Sequence, residues 1–133
     1  NGEEIEQPQF FEDLLRVTGA EPTDYTYKTR CCGGSVLITS RETALDMIHK
    51  LLKSAEDSGA DVIATSCPMC QVNLECYQNA VNEEFGTKFH LPILYFTQLI
   101  GIALGINPKK LGFGLEMVSA KPIFKKLLAK EAN

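Results

Sequence analysis

Positive charge is in short supply in this 133-residue chain: 13 lysines and arginines stand against 17 aspartates and glutamates, for a formal net charge of -4. A balance of that sign lacks the broad basic footprint with which proteins hold nucleic acid or anionic lipid, so no nucleic-acid partner is expected. Long apolar runs are lacking as well. The richest stretch, residues 91–104, is interrupted by Pro92, Thr97, Gln98 and Gly101 and falls short of the roughly 20 residues that cross a bilayer, so no direct membrane insertion is expected. The amino-terminal residues have no basic segment followed by an apolar one and a small-residue cleavage site, so no secretory leader is visible and a cytoplasmic location is expected. Histidine is scarce. His49 falls on the polar side of a helix beside Asp46, Lys50 and Lys53 and reads as solvated, while His90 has no ligand-spaced partner. There is no phosphate-cradling glycine loop and no Ser–His or Cys–His arrangement, which argues against phosphate binding and nucleophilic hydrolysis.

What is present is a globular composition, 44% hydrophobic and 23% charged, enough for one domain with its own core. The chain opens with Asn1 rather than Met, and its acidic residues 1–7 read as a flexible start. The expectation is a piece of a longer polypeptide. Five cysteines are the informative count: Cys31, Cys32, Cys67, Cys70 and Cys76. An odd number, clustered in mid-chain with no export signal, is unlike a secreted disulfide scaffold and points to metal or redox chemistry.

Helical and extended segments alternate. Residues 10–18 carry Phe11, Leu14 and Leu15 at helical spacing between Pro8 and Gly19. Residues 25–30 alternate aromatic and polar side chains and predict a strand leading into Cys31. The apolar residues Ala44, Leu45, Ile48, Leu51, Leu52 and Ala55 repeat with a period near 3.6 and predict a helix over 41–58, with Thr39 and Glu42 as a capping box. Residues 61–65 predict a buried strand. Pro68 suits a first helical position, so a helix is expected from there to about Phe85 with Val72, Cys76, Tyr77, Ala80 and Val81 inward. A strand at 93–96, a helix from a Thr97 cap to Gly105, a connection loosened by Gly112 and Gly114, and a last helix over 121–130 complete the pattern. Strands separated by helices predict an α/β fold: a single domain with a parallel β-sheet core flanked by helices.

Two cysteine pairs, Cys31-Cys32 and Cys67-x-x-Cys70, each lie where a predicted strand has just ended. In an open parallel sheet ligands gather outside the carboxyl ends of the strands, so both pairs are expected to converge on one crevice. Four sulfurs together suit zinc or an iron–sulfur cluster, both of which take soft thiolate ligands, and the helix starting at Pro68 would favour thiolates at Cys67 and Cys70. Gly33 and Gly34 permit unusual backbone angles beside the sulfurs, and Lys28 and Arg30 bring positive charge near an anionic site. Adjacent cysteines suit ordinary tetrahedral zinc poorly, because its ligands are usually two to four residues apart.

The run Tyr27-Lys28-Thr29-Arg30-Cys31-Cys32-Gly33-Gly34, followed by Cys67-Pro68-Met69-Cys70, resembles the cysteine-rich CCG domain family, in particular the carboxy-terminal CCG domain found in the B component of heterodisulfide reductases. The likeness extends to Thr18-Gly19-Ala20-Glu21-Pro22, to Leu94-Tyr95-Phe96-Thr97-Gln98-Leu99 and to residues 105–111. The resemblance implies part of an oxidoreductase, two such domains making up the complete polypeptide, with a noncubane 4Fe-4S cluster whose ligands here would be Cys31, Cys32, Cys67 and Cys70. It implies reduction of a disulfide, such as that joining coenzymes M and B. The implied partners are the other domain of the same polypeptide, iron–sulfur and flavin subunits as electron donors, and a small disulfide or thiol substrate. Association with a membrane-bound complex is compatible with it. The family pattern has one further cysteine some thirty to forty residues before the pair, which here would fall around or before Asn1; an isolated piece without it is expected to be inactive. Related domains in succinate, fumarate, glycolate, lactate and glycerol-3-phosphate oxidoreductases make an electron-carrier role an alternative.

Two other readings compete with it: a zinc-holding or metal-free structural module, and a dithiol made by Cys67 and Cys70 alone. Cys76, four residues from both Val72 and Ala80 along a helix, is expected to be core filler. Lys28 and Arg30 are either steering charges or simply the solvated face of a strand.

Overall fold

The computed structural model describes residues 8–131; the expected flexible start at 1–7 lies outside them. Helix α1 (Phe10–Val17) buries Leu15 and sets Phe11 edge-on against Phe96, with ring centroids 5.7 Å apart. Helix α2 (Arg41–Asp57) buries the six apolar residues its periodicity marks out, and five of them, all but Ala44, belong to the main core cluster. Its cap differs from the expected Thr39–Glu42 box. Ser40 Oγ accepts the Thr43 N–H at 3.3 Å, while Thr39 Oγ1 donates to the Val36 carbonyl and closes the preceding 3-10 turn, Val36–Ile38. His49 is also a correction: it is half-buried, its ring stacked on Phe85 at 4.2 Å, because the helix face it occupies is covered by the end of the fourth helix.

Strand β1 (Ile63–Thr65) pairs in parallel with β2 (Ile93–Tyr95), in the register Ile63–Ile93, Ala64–Leu94 and Thr65–Tyr95. A parallel pair needs a crossover, and here two helices supply it. The single helix expected over 68–85 is broken at Tyr77 into α3 (Pro68–Cys76) and α4 (Gln78–Phe85). Two buried carboxamides flank the break, Asn73 and Gln78, and their backbone partners replace the expected apolar face. Val72 and Cys76 accordingly point out, Val72 being 57% exposed, while Leu74 and Val81 fill the core and Tyr77 and Ala80 lie at its edge.

Helix α5 (Phe96–Ala103) starts directly from β2. Gln98 Oε1 reaches back to the Tyr95 N–H at 2.9 Å, so Thr97 is inside the helix and not its cap. A 3-10 turn, Pro108–Leu111, folds Leu111 onto Gly101 so closely that a Cβ there would lie 2.6 Å from Leu111 Cδ2. Helix α6 (Lys121–Glu131) packs through Phe124, edge-on to Phe113.

The strand expected at 25–30 is absent. Those residues form successive turns, closed by hydrogen bonds from Lys28 N–H to the Tyr25 carbonyl and from Arg30 N–H to the Tyr27 carbonyl. Tyr25 and Tyr27 still pack on the core, so turns reproduce the alternation a strand would have given. The architecture among the described residues is α/β, six α-helices around a two-stranded parallel sheet. None of the described helices is long and apolar enough to cross a membrane.

Candidate metal centre

Cys67 and Cys70 follow the carboxyl end of β1, where ligands of an open parallel sheet gather, and Cys32 is tied to α3 there through Asn73. After β1, Thr65 Oγ1 accepts the Cys67 N–H at 3.2 Å, and the Tyr95 hydroxyl at the end of β2 donates to the Ser66 carbonyl at 2.7 Å. These bonds fix the extended backbone of Cys67, which caps α3, and Pro68 starts the helix where a missing N–H costs nothing.

The paired cysteines arrive from the turns on the other side. Their side chains part: Cys32 is 1% exposed, whereas Cys31 is exposed and lines a groove of about 480 Å³ with Thr26, Tyr27, Arg30, Asp46, Met47 and Lys50. Gly33 follows them at φ +78°, a left-handed angle that costs an L-residue roughly 1–2 kcal/mol. Its N–H donates to Cys31 Sγ at 3.4 Å. A Cβ at Gly34 would lie 3.3 Å from Met69 Cε and 3.8 Å from Cys32 Sγ, so a side chain there would crowd both Met69 and the Cys32 sulfur.

Cys70 interacts with both Cys32 and Cys67, and among the described residues no three His, Cys, Asp or Glu side chains form a group that could hold a metal ion. Burial, then the neighbouring Cys32 and Cys67 thiols, push the Cys70 thiol up to about 12. The exposed Cys67 thiol is held below its ordinary value, chiefly by the Cys70 backbone N–H and next by the Cys70 thiol, although no capping hydrogen bond of ordinary geometry is formed. Four free thiols, two on a turn and two at the start of α3, suit a thiolate-bound metal or cluster in donor type, with Cys31 turned aside into the groove.

The expected supporting cations behave differently from each other. Lys28 Nζ is 3.0 Å from Glu12 Oε1 and 3.1 Å from Asp24 Oδ1, and the Glu12 hydrogen bond first of all raises its pKa. It staples the cysteine turn to α1. Arg30 is exposed, on the groove that holds Cys31. Cys76, expected in the core, is exposed with its thiol 3.4 Å from Met117 Sδ, and it stands apart from the other sulfurs because α3 turns that face outward. Sequence reading missed Tyr25, whose phenol pKa is raised by burial and then by Cys70, and Asn73, which donates to the Cys32 carbonyl at 2.8 Å. A polar residue three positions after Cys70, on a helix entering the core, was the available signal for Asn73.

The inequality of Cys67 and Cys70 gives a direct test on reduced, metal-free protein. A thiol becomes nucleophilic as pH rises through its pKa. Iodoacetamide at about pH 8, with mass mapping, is therefore expected to label Cys67 first and leave Cys70 largely unreacted. Equal labelling of the two would contradict the arrangement.

Comparisons with known proteins place the chain in a family. The family model of the cysteine-rich domain (CCG) matches residues 1–75, a span that includes all four motif cysteines. The B component of the ferredoxin/F(420)H(2)-dependent CoB-CoM heterodisulfide reductase of Methanosarcina acetivorans is 41% identical over 111 residues, 82% of this chain and 37% of that protein. Its counterpart in the ferredoxin:CoB-CoM heterodisulfide reductase of Methanosarcina mazei is 40% identical over the same shares. The 8-methylmenaquinol:fumarate reductase membrane anchor subunit of Wolinella succinogenes is 31% identical over 85% of this chain and 40% of its own length. The chain thus spans about two-fifths of the length of these relatives, all of them subunits of oxidoreductases. With more than half of its residues matched and both cysteine pairs inside the match, the chain belongs to the cysteine-rich CCG domain family, whose relatives here are redox subunits.

Proposed function

We propose that Cys31, Cys32, Cys67 and Cys70 hold an iron–sulfur cluster, of the noncubane 4Fe-4S kind, in a disulfide reductase of the heterodisulfide reductase type. The observation that carries this reading is the contact of Cys70 with both Cys32 and Cys67, which joins two motifs far apart in the chain at the carboxyl end of the sheet. When bound, such a cluster supplies one-electron chemistry, so a disulfide would take two electrons and two protons in separate steps to give two thiols. The chain's own part is to hold the sulfurs and limit water. Cys32 is enclosed, and Lys28 with Glu12 anchors the turn from outside. Cys31 and Arg30 line the adjoining groove, which gives a small disulfide or thiol substrate access from the side opposite the enclosed thiol.

On this reading the domain works within a longer two-domain polypeptide and with iron–sulfur and flavin partner subunits as electron donors. Likeness to the fumarate reductase anchor subunit favours a second reading, an electron-carrier domain in a membrane-associated complex. Anaerobic reconstitution of the full-length protein with iron and sulfide, followed by metal analysis and electron paramagnetic resonance, tests the shared core of both. About four irons bound by this domain, with a cluster signal, are expected. Zinc alone, or a folded protein without metal, would sink the redox reading and leave the cysteines structural.

A further inference from the structure

We infer that Asn73 is a positioning residue for the cysteine site: its carboxamide ties the paired-cysteine turn to the helix carrying Cys70 and so sets where Cys32 stands among the sulfurs. The purpose of the tie rests on the proposed metal-holding role; the tie itself rests on geometry. Asn73 is 2% exposed, and its Nδ2 donates to the Cys32 carbonyl at 2.8 Å across 41 residues of sequence. It follows Cys70 by three positions, so the Cys32 backbone and the Cys70 thiol are referred to adjacent turns of one helix.

Two other carboxamides on α3–α4 show what a purely structural amide looks like here. Gln78 uses both ends on Leu91, donating to its carbonyl at 2.6 Å and accepting its N–H at 3.0 Å. Asn82 donates to the Phe89 carbonyl at 3.0 Å and accepts from Phe89 N–H at 2.7 Å and from the Thr87 hydroxyl at 2.9 Å. Asn73 uses one end only. Its Oδ1 is buried with no hydrogen-bond partner, which costs stability. Stability therefore accounts for Gln78 and Asn82 and not for an amide at 73, whose one bond goes to the backbone of a site cysteine.

This imbalance separates positioning from folding. Asn73→Leu removes the orphaned Oδ1 but orphans the Cys32 carbonyl, so one unmatched acceptor replaces another and the melting temperature is expected to change little. Cys32, freed from α3, should become reactive. In the reduced, metal-free full-length protein, iodoacetamide with mass mapping is expected to label Cys32 about tenfold faster in Asn73→Leu than in wild type, the effect of one lost buried hydrogen bond on local opening. Asn82→Leu, the control, should lower the melting temperature and leave the Cys32 rate unchanged. In the iron-loaded protein, Asn73→Leu should shift the paramagnetic resonance spectrum, whereas Asn82→Leu should not. If Asn73→Leu does not fold, Asn73→Ala carries the same comparison. A Cys32 rate that is unchanged, or that rises only alongside an equal loss of melting temperature in both variants, overturns the inference, as does an unchanged spectrum. If wild type takes up no iron, the metal-holding reading fails and the alkylation rates alone decide the tie.

Discussion

Serine in place of Cys70 is expected to leave the domain folded and to reduce the iron it retains after reconstitution by more than about tenfold, since weakening residues behind a metal ligand already costs 10–100-fold in affinity. Cys70 has the largest effect because it is the one thiol that touches both neighbours, Cys32 from the paired motif and Cys67 from its own loop. Its removal breaks the thiol link between the two motifs as well as one ligand, leaving the Asn73 bond to the Cys32 carbonyl in place. The hydroxyl of serine fits the half-buried position, so circular dichroism and melting temperature should stay close to wild type. Cys76→Ser is the matched control: that thiol contacts Met117 on the outer face of α3, and its loss should leave iron content alone. Cys31→Ser then separates the rivals. A dithiol made by Cys67 and Cys70 would keep its activity without Cys31, whereas a cluster site would lose metal. Retention of full iron in Cys70→Ser would remove the assignment of the site.

The largest effect on stability is expected at Gln78. Its carboxamide, 1% exposed, satisfies both the N–H and the carbonyl of Leu91, two residues before β2. Gln78→Leu keeps the volume and discards both bonds, leaving two buried backbone groups unpaired at about 1–3 kcal/mol each. A loss of about 3 kcal/mol is a large fraction of the 5–15 kcal/mol typical of a domain and should lower the melting temperature by roughly 10 °C. Urea unfolding of the metal-free protein measures it. A midpoint within error of wild type would show that Leu91 finds other partners. Gln78→Glu, which keeps an acceptor for the Leu91 N–H, should fall between the two.

Much of this arrangement was legible in the residues, and the failures have physical causes. Helix α2 followed from its period, and β1 with the start of α3 followed from a buried apolar triplet and Pro68 at a first helical position. The residues that misled are those whose side chains answer to a tertiary partner. Tyr25 and Tyr27 alternate with polar neighbours because two consecutive turns return them to the same core, which a period of two cannot distinguish from a strand. Asn73 and Gln78 took the inward face of α3–α4 from Val72 and Cys76 because each meets a backbone group from a distant segment, and apolar patterning places amides outside. The strand before Cys67 placed that pair at the carboxyl end of the sheet, whereas the strand expected before Cys31 is absent and the Cys32 turn reaches α3 through Asn73 instead. The cysteine spacing carried no information on the direction of each thiol, so the turning of Cys31 into the groove was not visible.

Cys67 and Cys70 belong to a compact stretch of chain, strand, crossover helices and strand in succession, whereas Cys31 and Cys32 ride on turns that add to the packing of Tyr25, Tyr27 and Cys32 on the core only a few long-range polar bonds, such as Asn73 to Cys32 and Lys28 to Glu12. Segments with few backbone hydrogen bonds open far more often than the core to which they are attached. The half-life of anything held by all four sulfurs is therefore governed by how often residues 25–39 lift away, a clock that can run fast while the remainder of the molecule stays intact.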